Sequence, residues 1–364
     1  MAEIQPNSLT GKTLSQISKA DKPWDKHRAN GLSVENLYDM SGVSKFKRYA
    51  ERMHQCATFL EFSEASEEKK KLKLTRAHFC RVRLCPVCAW RRTLALLARF
   101  YQAFPKFAEE NQDLAYIYVV LTVKNPEMEN LRETLKQMNA AWARLRARKV
   151  FRLFHGWVKT IEVTKGQDGN PHPHINVLMA VPKWYFSSRE YIKKEAWVSL
   201  WRDVMRLDYD PSVFVQKVRK RKHKDVSEGT EQTAADVMHA AREVFKYSVK
   251  EADYVDDADF LFGVTPQISG LRFFAAGGCF ANLLKVDEDG NGGDVTEKEM
   301  LLAGEESEET PSAWRQLFLW EQGGDKSKWS YWFKKRYERK TGLKGIEDAD
   351  DMYKAVHRDD AEDG

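Results

Sequence analysis

The sequence predicts an α+β fold: an antiparallel sheet with helices on one face, preceded by a region built around a cysteine knuckle. Three observations carry this expectation. Between Ala115 and Val218, strand-type and helical runs alternate as strand, helix, strand, strand, helix, strand, the split β-α-β arrangement. Gly166 to Asn170 (Gly-Gln-Asp-Gly-Asn) is turn material, so the strands on either side of it pair as a hairpin. Upstream, Cys80, Cys85 and Cys88 fall at Cys-x4-Cys-x2-Cys, with Pro86 in the tight turn of the second pair.

Taken in order, residues 1 to about 40 are polar and mixed, and read as a loosely held leader. From Ser44, the spacing of Phe46, Tyr49, Met53 and Cys56 predicts a helix. A charged break, Glu64 to Lys73, precedes the cysteines, and Leu94, Leu97, Phe100, Tyr101 and Phe104 follow them on an amphipathic helix. Ala115 to Lys124 is a β-branched, apolar strand, ended by Asn125-Pro126. Leu131, Leu135, Met138, Trp142 and Leu145 form one helical stripe, and Trp157 to Thr164 alternates as a second strand. A third strand starts at His172. Tyr191 to Leu207 reads as a helix, Pro211 to Val218 as a strand, and Glu231 to Ala252 as a helix. Gly270 to Phe280 looks like a further strand and turn. The acidic stretch after it reads as a linker, and Ala313 to Arg339, rich in Trp and Lys, as a helix. These readings divide the chain into an N-terminal helical region (1–113), a central sheet domain (114–285) and an acidic linker with a C-terminal helical region (286–364).

Composition narrows the function classes. With 42% hydrophobic and 31% charged residues in 364, the chain supports a packed core. No apolar run approaches the roughly 18 residues of a membrane span. The stretch from Met1 to Thr10 lacks a signal-peptide pattern. A cytoplasmic protein with no membrane partner is expected. Thiols there stay reduced, so the five cysteines read as ligands or packing rather than disulfides. The net charge of +5 is only mildly basic. Its distribution is more telling. Lys217 to Lys224, including Lys217, Arg219, Lys220 and Arg221, is densely basic, whereas Asp287 to Glu309 is mostly acidic.

Three clusters carry chemistry. Cys85-Pro-Val-Cys88 has the spacing at which two thiolates meet one zinc ion. With Cys80, a fourth ligand is needed, for which Cys56 is the best candidate and His78 and His54 the reserves. Unliganded core cysteines and a redox pair are the rival readings, although no β-α-β pattern brackets this Cys-x-x-Cys. Arg81, Arg83, Arg91 and Arg92 surround the knuckle, where they could meet phosphates. In the second cluster, His172, His174 and Asn176 alternate along a strand and so share a face. Glu162, an acid within the apolar strand next to it, is a carboxylate in need of a cation, and a metal on His172 and His174 would supply one. The third cluster is Glu243, Tyr247 and Lys250, four and three apart on a predicted helix. A phenol of pKa near 10 needs help to attack, and a neighbouring cation stabilises its phenoxide. Tyr185, Tyr191 and Tyr254 are rivals for that role.

The chain resembles the replication initiators of rolling-circle plasmids, within the wider class of HUH single-strand endonucleases. The resemblance runs from about Cys56 to Phe280. It rests on Cys80–Arg92, Leu121-Thr-Val-Lys-Asn125, Glu162-Val-Thr with His172-Pro-His174, and Glu243-x-x-x-Tyr247-Ser-Val-Lys250, in the family's order. It implies a ferredoxin-like (RRM-like) HUH sheet and metal-dependent, site-specific nicking of a plasmid's double-strand origin. In that reaction Tyr247 attacks the phosphate, giving a 5′-phosphotyrosine link and a free 3′-hydroxyl primer. Mg2+ or Mn2+ would be held by His172, His174 and Glu162. Lys250 would steady the phenoxide or phosphate, and Glu243 would activate water at termination. The family's second histidine falls at Asn176 here, so the second ligand is either that amide oxygen or His172. Implied partners are origin DNA, double- and single-stranded, with a host helicase, the replication machinery and a homo-oligomer left open. A relaxase or single-tyrosine transposase is the nearest alternative. A zinc-containing DNA-binding regulator without chemistry is the more distant one.

Overall fold

The computed structural model describes residues 9–64, 72–218, 234–245, 248–284, 295–302, 314–323 and 329–338. Arg219, Lys220, Arg221 and Tyr247 lie outside the described residues.

The chain opens with a short turn of helix, α1 (Leu14–Ile17), then α2 (Pro23–Met40) and α3 (Ser44–His54). Strands β1 (Phe59–Glu64) and β2 (Leu72–Arg76) follow, then α4 (Pro86–Glu110), β3 (Leu114–Thr122), α5 (Leu131–Arg146), β4 (Gly156–Lys165) and β5 (Pro171–Pro182). After them come α6 (Lys194–Met205), β6 (Val213–Lys217), α7 (Ala234–Val244), α8 (Ala258–Ile268), β7 (Phe274–Gly278), α9 (Cys279–Leu283) and α10 (Glu297–Leu302). A hairpin of β8 (Trp314–Gln322) and β9 (Trp329–Glu338) closes the described chain. Among the described residues no helix is long and apolar enough to cross a membrane.

The larger sheet is antiparallel, in the order β6-β3-β5-β4-β7. Strand β5 is inserted between β3 and β4, the two strands that α5 connects, so the expected split arrangement is present. Gly169, at φ +83°, makes the hairpin turn between β4 and β5, where a side chain would be strained. The amide of Gly166 donates to the Asn170 carbonyl at 2.7 Å to close it.

Helices cover both faces of this sheet rather than one. Tyr116, Val158 and Leu178 pack with Phe100 and Phe104 of α4, Val237 and Val244 of α7, and Phe280 of α9. On the opposite face, Trp157 meets Trp142 of α5 with ring centroids 5.1 Å apart. The central strand explains the difference: Ile175, Val177, Leu178, Met179, Ala180 and Val181 are all fully buried. A near-continuous apolar run is the mark of a strand covered on both sides.

The second sheet, in the order β2-β1-β8-β9, corrects three expectations. The C-terminal stretch read as a Trp/Lys helix is this β8–β9 hairpin, so region 286–364 holds strands. The charged break is flanked by strands, with β1 ending at Glu64 and β2 starting at Leu72. The leader is not loose, because α2 starts with Pro23, whose missing amide hydrogen costs nothing in a first turn, and buries Trp24, Val34 and Tyr38. Tyr331 of β9 packs edge-on against Trp24 and donates its hydroxyl to the Ala57 carbonyl at 2.6 Å. The N-terminal helices are therefore clamped by the C-terminal hairpin. From the acidic stretch, α10 folds back onto α4, where Arg99 grips Glu299 through two hydrogen bonds of 2.7 and 2.6 Å. That pairing is the main cause holding the Glu299 carboxyl down to about 2.

Candidate active site and metal cluster

Strand register assembles the candidate active site. Glu162 lies opposite His174, Thr160 opposite Asn176, and Thr164 opposite His172. On the other side of β5, Thr122 faces His174 and Val120 faces Asn176. Alternation puts Glu162, His172, His174, Asn176 and Tyr118 on the face that α4 and α7 cover. There His174 Nε2 lies 3.1 Å from Glu162 Oε2. The same oxygen accepts from Asn176 Nδ2 at 3.3 Å, and Asn176 Oδ1 accepts from the Tyr118 hydroxyl at 2.6 Å. Glu162 and Asn176 are only 8% and 2% exposed, so this is a buried acid with its partners in place.

His172 is held differently. Its Nδ1 donates to Asn125 Oδ1 at 2.7 Å, and Asn125 Nδ2 donates to Asp168 Oδ1 at 2.9 Å. With the proton on Nδ1, Nε2 is the nitrogen with the free lone pair. Burial, and then the neighbouring His174, lower the His172 pKa and favour the neutral ring that ligates metals. The two imidazole centroids are 5.5 Å apart.

Helix α7 crosses this face. The hydroxyl of Thr160 donates to the Val244 carbonyl at the helix's last residue. Burial pushes the Tyr118 phenol up, and the charges of Glu243 and then Glu162 add to the shift. The helix does not run on to Lys250. The chain instead becomes extended at Val249, which bridges Val163 of β4 in parallel. Val163 donates to the Ser248 carbonyl at 2.9 Å, and Lys250 donates back to Val163 at 3.3 Å. Glu243 and Lys250 therefore do not share a helical face, as the spacing had predicted. An open edge of β4 beyond β7 outweighed local helix propensity. Of the rival tyrosines, Tyr185 and Tyr254 are each 1% exposed, and Tyr191 packs against Tyr185 with centroids 5.5 Å apart.

One contact that sequence reasoning missed anchors this segment. Glu251 is buried, with His27 Nδ1 at 2.9 Å from Oε2 and Asn30 Nδ2 donating to Oε1. His27 stacks on Trp90, centroids 4.7 Å apart and planes 19° from parallel. Trp90 sits two residues past Cys88, so α2 ties the cysteine knuckle to the chain after Tyr247. No local sequence signal marks a pair 224 residues apart. A second missed residue is Lys159, on the opposite sheet face, 2% exposed and donating to Asn139 Oδ1 at 2.6 Å. Burial first, then Arg146 and Arg272, push its pKa down to about 7.

The cysteines meet as expected, with Cys56 as the fourth. Donor atoms of Cys56, Cys80, Cys85 and Cys88 lie within 4.8 Å of one another, all buried. The Sγ pairs 56–88, 80–88 and 56–85 are each 3.6 Å apart. A tetrahedron of sulfurs about 2.3 Å from zinc has edges of about 3.8 Å, so the four fit a metal such as zinc. Amide hydrogens of Arg81 and Cys80 point at sulfur, at 3.3 Å from Cys88 and 3.5 Å from Cys56. Contacts with the other three thiols, and burial, hold Cys56 far above the usual thiol range; burial does the same to Cys80. Against its own burial, contacts with the other thiols hold Cys88 well below that range, so one thiolate is favoured already and a cation is needed to ionise the rest. His54, a reserve ligand, is spent on Glu35 at 2.8 Å. Among the described residues no other three His, Cys, Asp or Glu side chains converge this closely.

The basic residues separate. Arg91 is 4% exposed, donates to the carbonyls of Met300 and Leu301 at 2.7 and 3.0 Å, and lies over the Trp24 and Trp90 rings. It faces inward and not toward phosphates. Arg92 donates to the Arg81 carbonyl at 2.9 Å, and Lys217 lies 4.4 Å from the Phe186 ring centroid.

A buried acid–imidazole pair on an antiparallel sheet, a bridged segment beside it and a cysteine metal cluster upstream define the architecture against which relatives can be weighed. Residues 71–329 match the family model described as replication protein, and the chain belongs to that family. A "Protein rep" of Bacillus amyloliquefaciens is 32% identical over 338 residues, covering 88% of this chain and 95% of the relative. Another, from a Bacillus species, is 37% identical over 226 residues, covering 61% and 72%. A "Protein rep" of Staphylococcus aureus is 34% identical over 210 residues, covering 56% and 82%. No solved structure matches the fold.

Proposed function

We propose that the protein initiates rolling-circle replication of a plasmid by nicking one strand of its origin, with residues 114–285 forming a ferredoxin-like HUH nuclease domain. The observation that carries this reading is the Glu162–His174 pair, fixed by register and lying beneath the end of α7, next to the segment that follows Tyr247. Family membership supports DNA as the substrate, and the acid–imidazole pair offers a place where a phosphate could be held.

The donor set suits a hard divalent ion. In an octahedron with ligands 2.0–2.1 Å from Mg2+, adjacent donors are about 3 Å apart, close to the 3.1 Å between His174 and Glu162. Nε2 of His172 is the further donor, because the Asn176 amide turns its nitrogen to Glu162 and its oxygen to the Tyr118 hydroxyl. Mg2+ or Mn2+ bound there would supply electrophilic stabilisation of the phosphate. The chain's own groups do the rest. Tyr247 Oη bonds to phosphorus as the bond to the 3′ oxygen breaks, and that oxygen leaves as a hydroxyl. The product strand stays on Tyr247 as a 5′-phosphotyrosine, which conserves the phosphodiester energy for later strand transfer. Lys250, exposed and next to the Val163 bridge, offsets negative charge at the phenoxide or phosphate. Glu243, half-buried and within electrostatic reach of Tyr118, would take a proton from water when the cycle ends. The cysteine cluster with zinc is structural.

The test is covalent capture. Wild-type protein incubated with single-stranded origin DNA and Mn2+ is expected to give a denaturant-resistant adduct, absent in Tyr247→Phe. An adduct in the variant reassigns the nucleophile; none in wild type ends the nickase reading.

A further inference from the structure

We propose that Phe214, exposed on the outermost strand of the larger sheet, is a stacking platform for one base of the single-stranded substrate next to the reacting phosphate. The proposal rests on the nicking reading above and assigns it a subsite.

Strand β6 is the sheet's edge, and its register sets which residues turn toward the active-site face. Phe214 lies opposite Val120 and Gln216 opposite Tyr118, so both share the face of Glu162 and His174. On β5 and β4 that face is sealed at Leu178 and Val158, 0% exposed beneath α4 and α7. Among the described residues the cover thins over β3 and stops before the edge strand. Phe214 is 49% exposed, with Gln216 exposed beside it. The result is an open shelf along one side of the site.

The shelf is wired to the chemistry. The Phe214 ring meets Tyr118 edge to face, with centroids 6.2 Å apart and planes at 63°. From Tyr118, three hydrogen bonds run through Asn176 and Glu162 to His174. At the strand end, exposed Lys124 lies 4.1 Å from the Tyr209 ring centroid, and the next residue, Asn125, holds His172. A cation on an aromatic ring at the end of β3 and an open phenylalanine on the adjoining strand suit a nucleotide strand, phosphate to lysine and base to ring. A single exposed phenylalanine is ordinary on a protein surface. On a strand that is the sheet's edge among the described residues, however, it invites association with other chains, and stacking substrate gives it a function there.

The occupant is a nucleobase in a flexible single strand. Stacking uses the π face that every base has, so the subsite tolerates sequence and sets how the strand is seated. The probe is an oligothymidylate carrying one 2-aminopurine, bound by full-length protein without added metal, with affinity and 2-aminopurine quenching measured together. Phe214→Ala is expected to bind roughly tenfold more weakly and to lose the quenching, with an unchanged salt dependence. Phe214→Trp is expected to restore both, and Phe214→Leu, apolar but without a π face, neither. Wild-type affinity and quenching in Phe214→Ala, or rescue by leucine equal to that by tryptophan, overturns the inference while leaving the covalent adduct of the nickase reading intact. A wild-type protein that binds no single strand and forms no adduct removes both.

Discussion

The cysteine cluster and the acid–imidazole site are both built from donor side chains, yet they are finished to different degrees. In the cluster, four buried sulfurs already stand near tetrahedral spacing, with backbone amides turned toward them. Around His174 the donors are engaged with one another, Glu162 with His174 and Asn176, and His172 with Asn125. A structural site gains from convergence in advance, because binding free energy there is folding free energy. A site proposed to admit a phosphate would keep its groups satisfied by hydrogen bonds until substrate and ion replaced them. The difference separates a staple from a working site.

The largest effect is expected at the staple. Cys85→Ser should lose the bound zinc and, with it, cooperative melting of the N-terminal half, since structural zinc contributes on the order of 10 kcal/mol to small domains. Zinc stoichiometry and thermal melting check this; a variant that keeps zinc-free, wild-type melting would make the cluster simple packing. Next comes the asymmetry within the working site. His174→Ala should weaken Mn2+-dependent adduct formation more than His172→Ala does, by roughly tenfold, because His174 touches Glu162 whereas His172 is oriented by Asn125. Equal losses in a Mn2+ titration would mean that the two histidines converge as the cysteines do, and the contrast would break. The smallest effect is at Lys159, behind the sheet. Its folded pKa of about 7 lies below its ordinary 10.5, so the unfolded chain binds the proton more tightly. Wild-type stability should therefore rise with pH between about 7 and 10.5 and level off below, and Lys159→Met should flatten that rise. The variant should also melt a few degrees higher at neutral pH while forming adduct normally. Lost adduct would show that the chemistry is not confined to one face.

Much of this was legible because its signals are local. The strands and helices from β3 to β6 announce themselves by period, and three cysteines by spacing, with Cys56, in the turn just past α3, as the fourth. Glu162 was readable as an acid out of place. The C-terminal hairpin was not, because Arg315, Gln316, Leu317 and Phe318 are all buried, which erases the alternation that marks a strand. The end of α7 was misread because Val249 answers to Val163, not to its own neighbours. Arg91 looked like a phosphate contact only because spacing is silent on which way a guanidinium turns. His27 and Glu251 carry no signal until the fold brings them together.

The sheet that joins β1 to β8 has a consequence for synthesis. A ribosome delivers β1 and the cysteines long before β8 and β9, so the edge of β1 that pairs with β8 waits, with Leu60 and Phe62 uncovered, until nearly all of the chain has emerged. Tyr331 then closes on Ala57, one residue from the first cysteine. A metal taken up by the cysteines would thus have its window while the chain is still being made, before the last described hairpin shuts it.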